Sequence, residues 1–201
     1  MKATMKTLSA ILICCFISTI QMYGENIQRP ESKNYVKGVE ALNEGNPEAA
    51  YTYLNAEINE HPDNGYAHCY MALICNFCND TKLALQALNS SLELIPEADT
   101  EYRSFAHYSR GVLLTNLKMW ERAEADLNEA IRLNPEDVEN YKSRAQLYFE
   151  TERYEESLND LTRALKLDSK ADVNDLVLQL MAVAPTSEFM ERITATYQQL
   201  D

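Results

Sequence analysis

Glycine and proline are scarce in this 201-residue chain, at 5 and 6 residues. A sheet-rich chain needs more turn punctuation, so helices joined by short connections are expected. Basic residues are outnumbered, 18 against 31 acidic ones, for a formal charge of −13. That sign repels phosphate backbones and anionic headgroups, which excludes nucleic acid and anionic lipid surfaces as partners. Solubility accounts for such a charge, and a basic partner or a divalent cation is the sharper alternative. A Gly-rich phosphate loop, a Gly-x-Ser-x-Gly elbow and a His-Glu-x-x-His pair are all missing from the sequence. The acidic pairs Asp137/Glu139 and Glu155/Glu156 fall on predicted outer faces or helix starts, as solvated carboxylates and not as a catalytic dyad. Neither enzymatic activity nor a cofactor or metal is expected. Hydrophobic residues make up 46% of the chain, enough for a packed core.

Long apolar runs are confined to the first segment. Lys2 and Lys6 precede a charge-free run from Leu8 to Ile20. A run of that length is too short for a membrane-spanning helix of about 20 residues but fits the core of a secretory signal. Residues 1–24 are therefore expected to be a signal peptide cut near Gly24, although Met22 is bulky for the position two before the cut. Cys14 and Cys15 raise a lipoprotein as an alternative, against which Ile11, Leu12 and Ile13 are too large. An uncleaved anchor is the other. Export implies a periplasmic or envelope-associated protein, with secretion as the alternative, and an oxidising compartment. Three cysteines then remain, Cys69, Cys75 and Cys78, so one thiol has no partner within the chain.

The rest of the chain repeats. Pro62 and Pro96 are 34 residues apart, and Pro135 follows after the same period plus an insertion at residues 99–103, read as lying between two repeats. Four windows of equal length result: 31–64, 65–98, 104–137 and 138–171. Their eighth places hold Gly38, Ala72, Gly111 and Ala145; their twentieth, Ala50, Ala84, Ala123 and Ser157; their twenty-fourth, Leu54, Leu88, Leu127 and Leu161; their twenty-seventh, Glu57, Ser91, Ala130 and Ala164. Small residues at the eighth and twentieth places let two antiparallel helices approach, and the leucine fills the space beside them. Asn46 before Pro47, Asp80, and Asn134 before Pro135 mark helix starts. After residue 171, Val173, Leu176, Val177 and Leu180 line one predicted helix, and Phe189, Ile193 and Tyr197 another that Thr186 caps. Residues 25–30 read as an unstructured leader.

These columns resemble the tetratricopeptide repeat, most closely at Trp120-Glu121-Arg122-Ala123 and Ile131-Arg132-Leu133-Asn134-Pro135. The resemblance implies an all-α fold, a right-handed α-solenoid of antiparallel helix pairs with C-terminal capping helices over residues 172–201. Glu57 and Ser169 depart from the pattern, in the first and fourth repeats, where a solenoid end facing solvent tolerates departures.

The resemblance also implies that the first helix of each pair lines a concave groove. Its places carry Tyr35 and Val39; Tyr66, Leu73, Asn76 and Phe77; Phe105, Tyr108, Val112 and Asn116; and Phe149. An apolar peptide or helix would fit such a surface. Alternatively, these side chains cover one another or pack against residues 186–200. The carboxylate clamp known in some relatives is not expected, because Tyr35, Val39, Tyr70, Phe105 and Ser109 stand where it would need basic residues.

Cys75 and Cys78 form a Cys-x-x-Cys pair near a predicted helix C-terminus, where the dipole opposes a thiolate; packing and a thiol-redox role are the two readings. His68 and His107 share the fourth place and are read as packing residues. The function expected is a scaffold for a protein or peptide partner at the cell envelope, with a self-associating structural protein, a homo-oligomer, as the alternative.

Overall fold

The computed structural model describes residues 27–183 and 186–198. The export segment expected at residues 1–24 lies outside them. Among the described residues there are ten helices and no strand: α1 Lys33–Asn43, α2 Pro47–Glu60, α3 Gly65–Phe77, α4 Thr81–Leu94, α5 Thr100–Asn116, α6 Trp120–Leu133, α7 Val138–Glu150, α8 Tyr154–Leu167, α9 Asn174–Val183 and α10 Ser187–Gln198. The chain divides into two compact units, residues 1–106 and 107–201, with the division inside α5. In the first, α1 packs on α2, α2 on α3, and α3 on α4. In the second, α6 packs on α7, α7 on α8, α8 on α9, and α9 on α10.

One turn is used four times. The first helix of each pair is followed by a residue in the left-handed region: Gly45 at φ 71°, Asn79 at 60°, Lys118 at 58° and Glu152 at 61°. The next N–H then donates to a carbonyl five residues back, from Asn46 to Ala41 at 2.8 Å, Asp80 to Cys75 at 2.8 Å, Met119 to Leu114 at 2.9 Å and Arg153 to Tyr148 at 2.7 Å. This closes the helix end and reverses the chain. Asn46 and Asp80 go on to cap α2 and α4, accepting from the N–H groups of Ala49 at 3.1 Å and Leu83 at 3.0 Å. Met119 and Arg153, at the same place, make no side-chain cap.

The close approach at the eighth place is real and uneven. A Cβ on Gly38 would meet Leu54 Cγ at 2.6 Å, and one on Gly111 would meet Leu127 Cγ at 2.7 Å. Both leucines are fully buried. Ala72 and Ala145 occupy the same place in the other two pairs, so only two of the four demand glycine. Ser157, where the other pairs have alanine, is buried and donates to the Ala145 carbonyl at 2.8 Å.

Four expectations are corrected. Glu57 does not face solvent: it is 1% exposed, and its carboxylate accepts from Ser32 Oγ at 2.6 Å and Asn64 Nδ2 at 2.8 Å. Ser32 caps α1 and Asn64 caps α3, so one buried acid orients both caps. The insertion is not a separate linker between two repeats: Thr100–Arg103 form the first turn of α5, and Asp99, just before it, accepts from the Tyr102 N–H at 3.3 Å. Asn134 ends α6, and Asp137 is the cap of α7, accepting from the Glu139 N–H at 3.0 Å. Finally, residues 27–30 carry no helix, yet Arg29 is tied into the first unit.

From α8 onward, the buried side chains of Leu158, Leu161, Leu165, Val173, Leu176, Val177, Leu180, Phe189 and Ile193 form one cluster. Thr186 caps α10, accepting from the Phe189 N–H at 3.1 Å.

Candidate functional site

The first unit sets three helices beside one another through tyrosine. Tyr35 on α1 lies 6.1 Å from Tyr70 on α3, centroid to centroid, and Tyr70 lies 6.2 Å from Tyr102 on α5. Tyr66 meets Tyr102 edge-on at 4.9 Å. The Tyr70 and Tyr102 hydroxyls are 3.0 Å apart. Burial, above all, pushes the ionisation of Tyr35, Tyr70 and Tyr102 upward, so the row is neutral at physiological pH.

A cation reaches this row from the leader. The Arg29 guanidinium lies 4.5 Å from the centre of the Tyr102 ring. Its Nε and Nη2 donate to the two oxygens of Asp99 at 3.1 and 3.2 Å, and Nη2 also donates to Glu101 at 2.7 Å. Burial alone would ease its deprotonation, but Asp99 and Glu101 outweigh that and raise its pKa. Asp99 is 1% exposed and is further fixed by the Tyr66 hydroxyl at 3.0 Å.

The expected groove residues divide by unit. In the first, Tyr35, Tyr66 and Phe105 are buried, Val39 and Leu73 are half-buried, and Asn76 and Phe77 are exposed. Phe77 shares a shallow depression of about 240 Å³ with Pro47, Tyr51, Ile74 and Cys78. In the second, Tyr108, Val112 and Phe149 are half-buried and Asn116 is exposed. Phe149 packs against the C-terminal cluster, its ring 5.7 Å from that of Tyr154.

No disulfide forms among the described cysteines. Cys69 is buried, and desolvation pushes its pKa up to about 12. Cys75 is buried at the end of α3, and desolvation, with Asp80 and Cys78 adding to it, raises its pKa too. Both shifts oppose a thiolate nucleophile. His68 Nε2 is 3.0 Å from the Pro62 carbonyl, and His107 Nδ1 is 2.9 Å from Asp126. Among the described residues, no cluster of His, Cys, Asp and Glu could hold a metal, and no helix is long and apolar enough to cross a membrane.

Residues 104–137 and 139–170 each match the tetratricopeptide repeat profile. The chain carries tetratricopeptide repeats. Solved structures of this repeat type have the same all-α solenoid class of fold. MamA 41-end from Desulfovibrio magneticus RS-1 is 19% identical, with a TM-score of 0.67 over 82% of this chain and 92% of that one. YrrB, a TPR protein with an unusual peptide-binding site, is 21% identical, with a TM-score of 0.58 over 68% of each chain. The lipoprotein NlpI homolog of Haemophilus influenzae (strain ATCC 51907 / DSM 11121 / KW20 / Rd) is 30% identical over 87 residues, 43% of this chain. This chain spans little more than a quarter of the curated relatives it matches, 26% of one and 28% of the other.

The Arg29 site escaped the sequence reading for a physical reason. Asp99, Glu101 and Tyr102 sit in the insertion, which aligning the repeats sets aside. Arg29 is seventy positions from Asp99, so no local pattern joins them.

Proposed function

We propose that this tetratricopeptide-repeat protein is an exported scaffold that positions a protein partner at the cell envelope. The face of α1, α3 and the first turns of α5 takes an apolar peptide or helix of that partner. The observation that carries this reading is the tyrosine row Tyr35–Tyr70–Tyr102, which sets those helices side by side. It gives a rigid aromatic floor from which Val39 and Leu73 remain partly open to a ligand. The peptide-binding site named for YrrB supports a role of this kind, as does the envelope character implied by the name of the NlpI homolog. The charge-free run from Leu8 to Ile20 supports export. Scaffolds of this type act by binding, and the raised pKa of the Cys75 thiol speaks against a redox role for the Cys75–Cys78 pair.

The test is capture by crosslinking in the native envelope fraction, with Val39→Lys/Leu73→Lys as the control. Both residues are half-buried, so the lysines can reach water while placing charge on the face. A partner lost by the variant, with its helical content unchanged, supports the reading. Equal capture by both proteins counts against it.

A second reading, self-association, is favoured by Leu178, which is 63% exposed on α9. Light scattering that rises with concentration in the wild type and not in Leu178→Lys would support that reading.

A further inference from the structure

Arg29 occupies a site built for a guanidinium. Its fork meets both oxygens of Asp99, its Nη2 adds Glu101, and its Cζ lies over the Tyr102 ring, 4.5 Å from the centre. The receiving groups are positioned independently of it: Tyr66 donates to Asp99 Oδ2, and the Tyr102 N–H donates to Asp99 Oδ1. The tether is slight by comparison. Residues 27–31 have no helix, and among the described residues their side-chain hydrogen bonds are those of Arg29. Ile27 and Pro30 are half-buried, so opening the segment gives up their packing and the polar contacts of Arg29 but breaks no helix. The chain's formal charge of −13 favours the approach of a cation.

We propose that Asp99, Glu101 and Tyr102 form an arginine-recognition site, that Arg29 is its resident occupant, and that an arginine on an extended segment of a partner protein displaces it. The inference stands beside the apolar-face reading and does not require it. Lysine is a poor substitute here. Its ammonium is a point charge and lacks the planar fork that spans both Asp99 oxygens beside Tyr102. On displacement, residues 27–31 come away from the row while the carboxylates keep a cation.

The experiment uses the full chain and a probe, arginine blocked at both ends as the N-acetyl methylamide, with the lysine equivalent as control. Arg29→Ala should bind the arginine probe saturably, about tenfold or more tightly than the lysine probe. Adding Asp99→Asn should abolish that preference. In the wild type, amide hydrogen exchange of residues 27–32 should quicken with the arginine probe in excess and not with the lysine probe. This second measurement decides the matter even where Arg29→Ala does not fold. Arg29→Ala folded but indifferent between the probes, or a wild-type exchange pattern unmoved by arginine, would overturn the proposal. Retained arginine binding in Val39→Lys/Leu73→Lys separates its outcome from that of the apolar face.

Discussion

The guanidinium of Arg144 holds both oxygens of Asp160, Nε to Oδ2 at 2.7 Å and Nη2 to Oδ1 at 2.8 Å. Arg110 holds Asp126 in the same way, at 2.7 and 2.8 Å. Each fork ties the first helix of a pair to the second, across the same sixteen positions. The repeat profile matches these two pairs. In the first unit the same places hold Lys37, whose ammonium is 5.3 Å from the centre of the Tyr53 ring, and the apolar pair Met71 and Ala87. The helix pairs therefore use three different chemistries at one structural position.

Asp160→Asn should lower stability by about 2 kcal/mol, since it leaves a mostly buried guanidinium with a neutral partner. Replacing both members, as Arg144→Met/Asp160→Leu, should cost less than the single change. Urea denaturation followed by circular dichroism measures both.

Two acids should respond to pH with opposite signs. Burial raises the pKa of Asp126, but hydrogen bonds from Arg110 and His107 outweigh it, and the net shift is downward. Its contribution to stability is fully present above the unfolded value of about 3.9 and is lost as pH falls from there through the folded pKa. Asp137 is shifted upward, by burial first and then by Glu139. Its ionised form is disfavoured in the fold, so it lowers stability at neutral pH, and that cost fades as pH falls through its folded pKa. Asp137→Asn keeps a competent cap and should raise stability at pH 7 by about 0.5 kcal/mol. Asp126→Asn should lower it at pH 7 and flatten the acid limb. Thermal melts from pH 7 to pH 3 measure both.

Glu57→Ala installs the small residue that the repeat pattern favours, yet it should destabilise by about 2–3 kcal/mol. Ser32 and Asn64 lose their common acceptor, and the caps of α1 and α3 lose their orientation. Glu57→Gln should recover part of the loss, because one amide oxygen still accepts. The readout is the denaturation midpoint of each variant.

Gly111→Ala should cost about 1–3 kcal/mol, because the new methyl would sit 2.7 Å from Leu127 Cγ. Adding Leu127→Val to Gly111→Ala should relieve part of that cost through the space released at the leucine. A double-mutant cycle from chemical denaturation gives the coupling.

The helix pairs were legible because their signals are periodic. Leu54, Leu88, Leu127 and Leu161 recur at one place, and all four are buried. The closing turns were half legible: Gly45 and Asn79 suit positive φ, while Lys118 and Glu152 take it through the helix-end hydrogen bonds alone. The Arg110–Asp126 and Arg144–Asp160 pairs share one place in the aligned windows, but a pattern of small and large residues carries no information about charge. Glu57 was misplaced because its partners Ser32 and Asn64 lie outside α2 and only the fold brings them to it. Of the expected groove residues, Tyr35, Tyr66 and Phe105 are buried while Val39 and Leu73 are half-buried, a difference that sequence position alone could not give.

The most direct measurement places a photo-crosslinking residue at Leu73, on the proposed face of α3, and in a second protein at Leu83, exposed on α4. Irradiation in the native envelope should join a partner to the Leu73 protein and not to the Leu83 protein, through a partner segment rich in apolar residues. Partner crosslinks from Leu83 with none from Leu73 would contradict the account, because the partner would then be held away from the face that the tyrosine row builds.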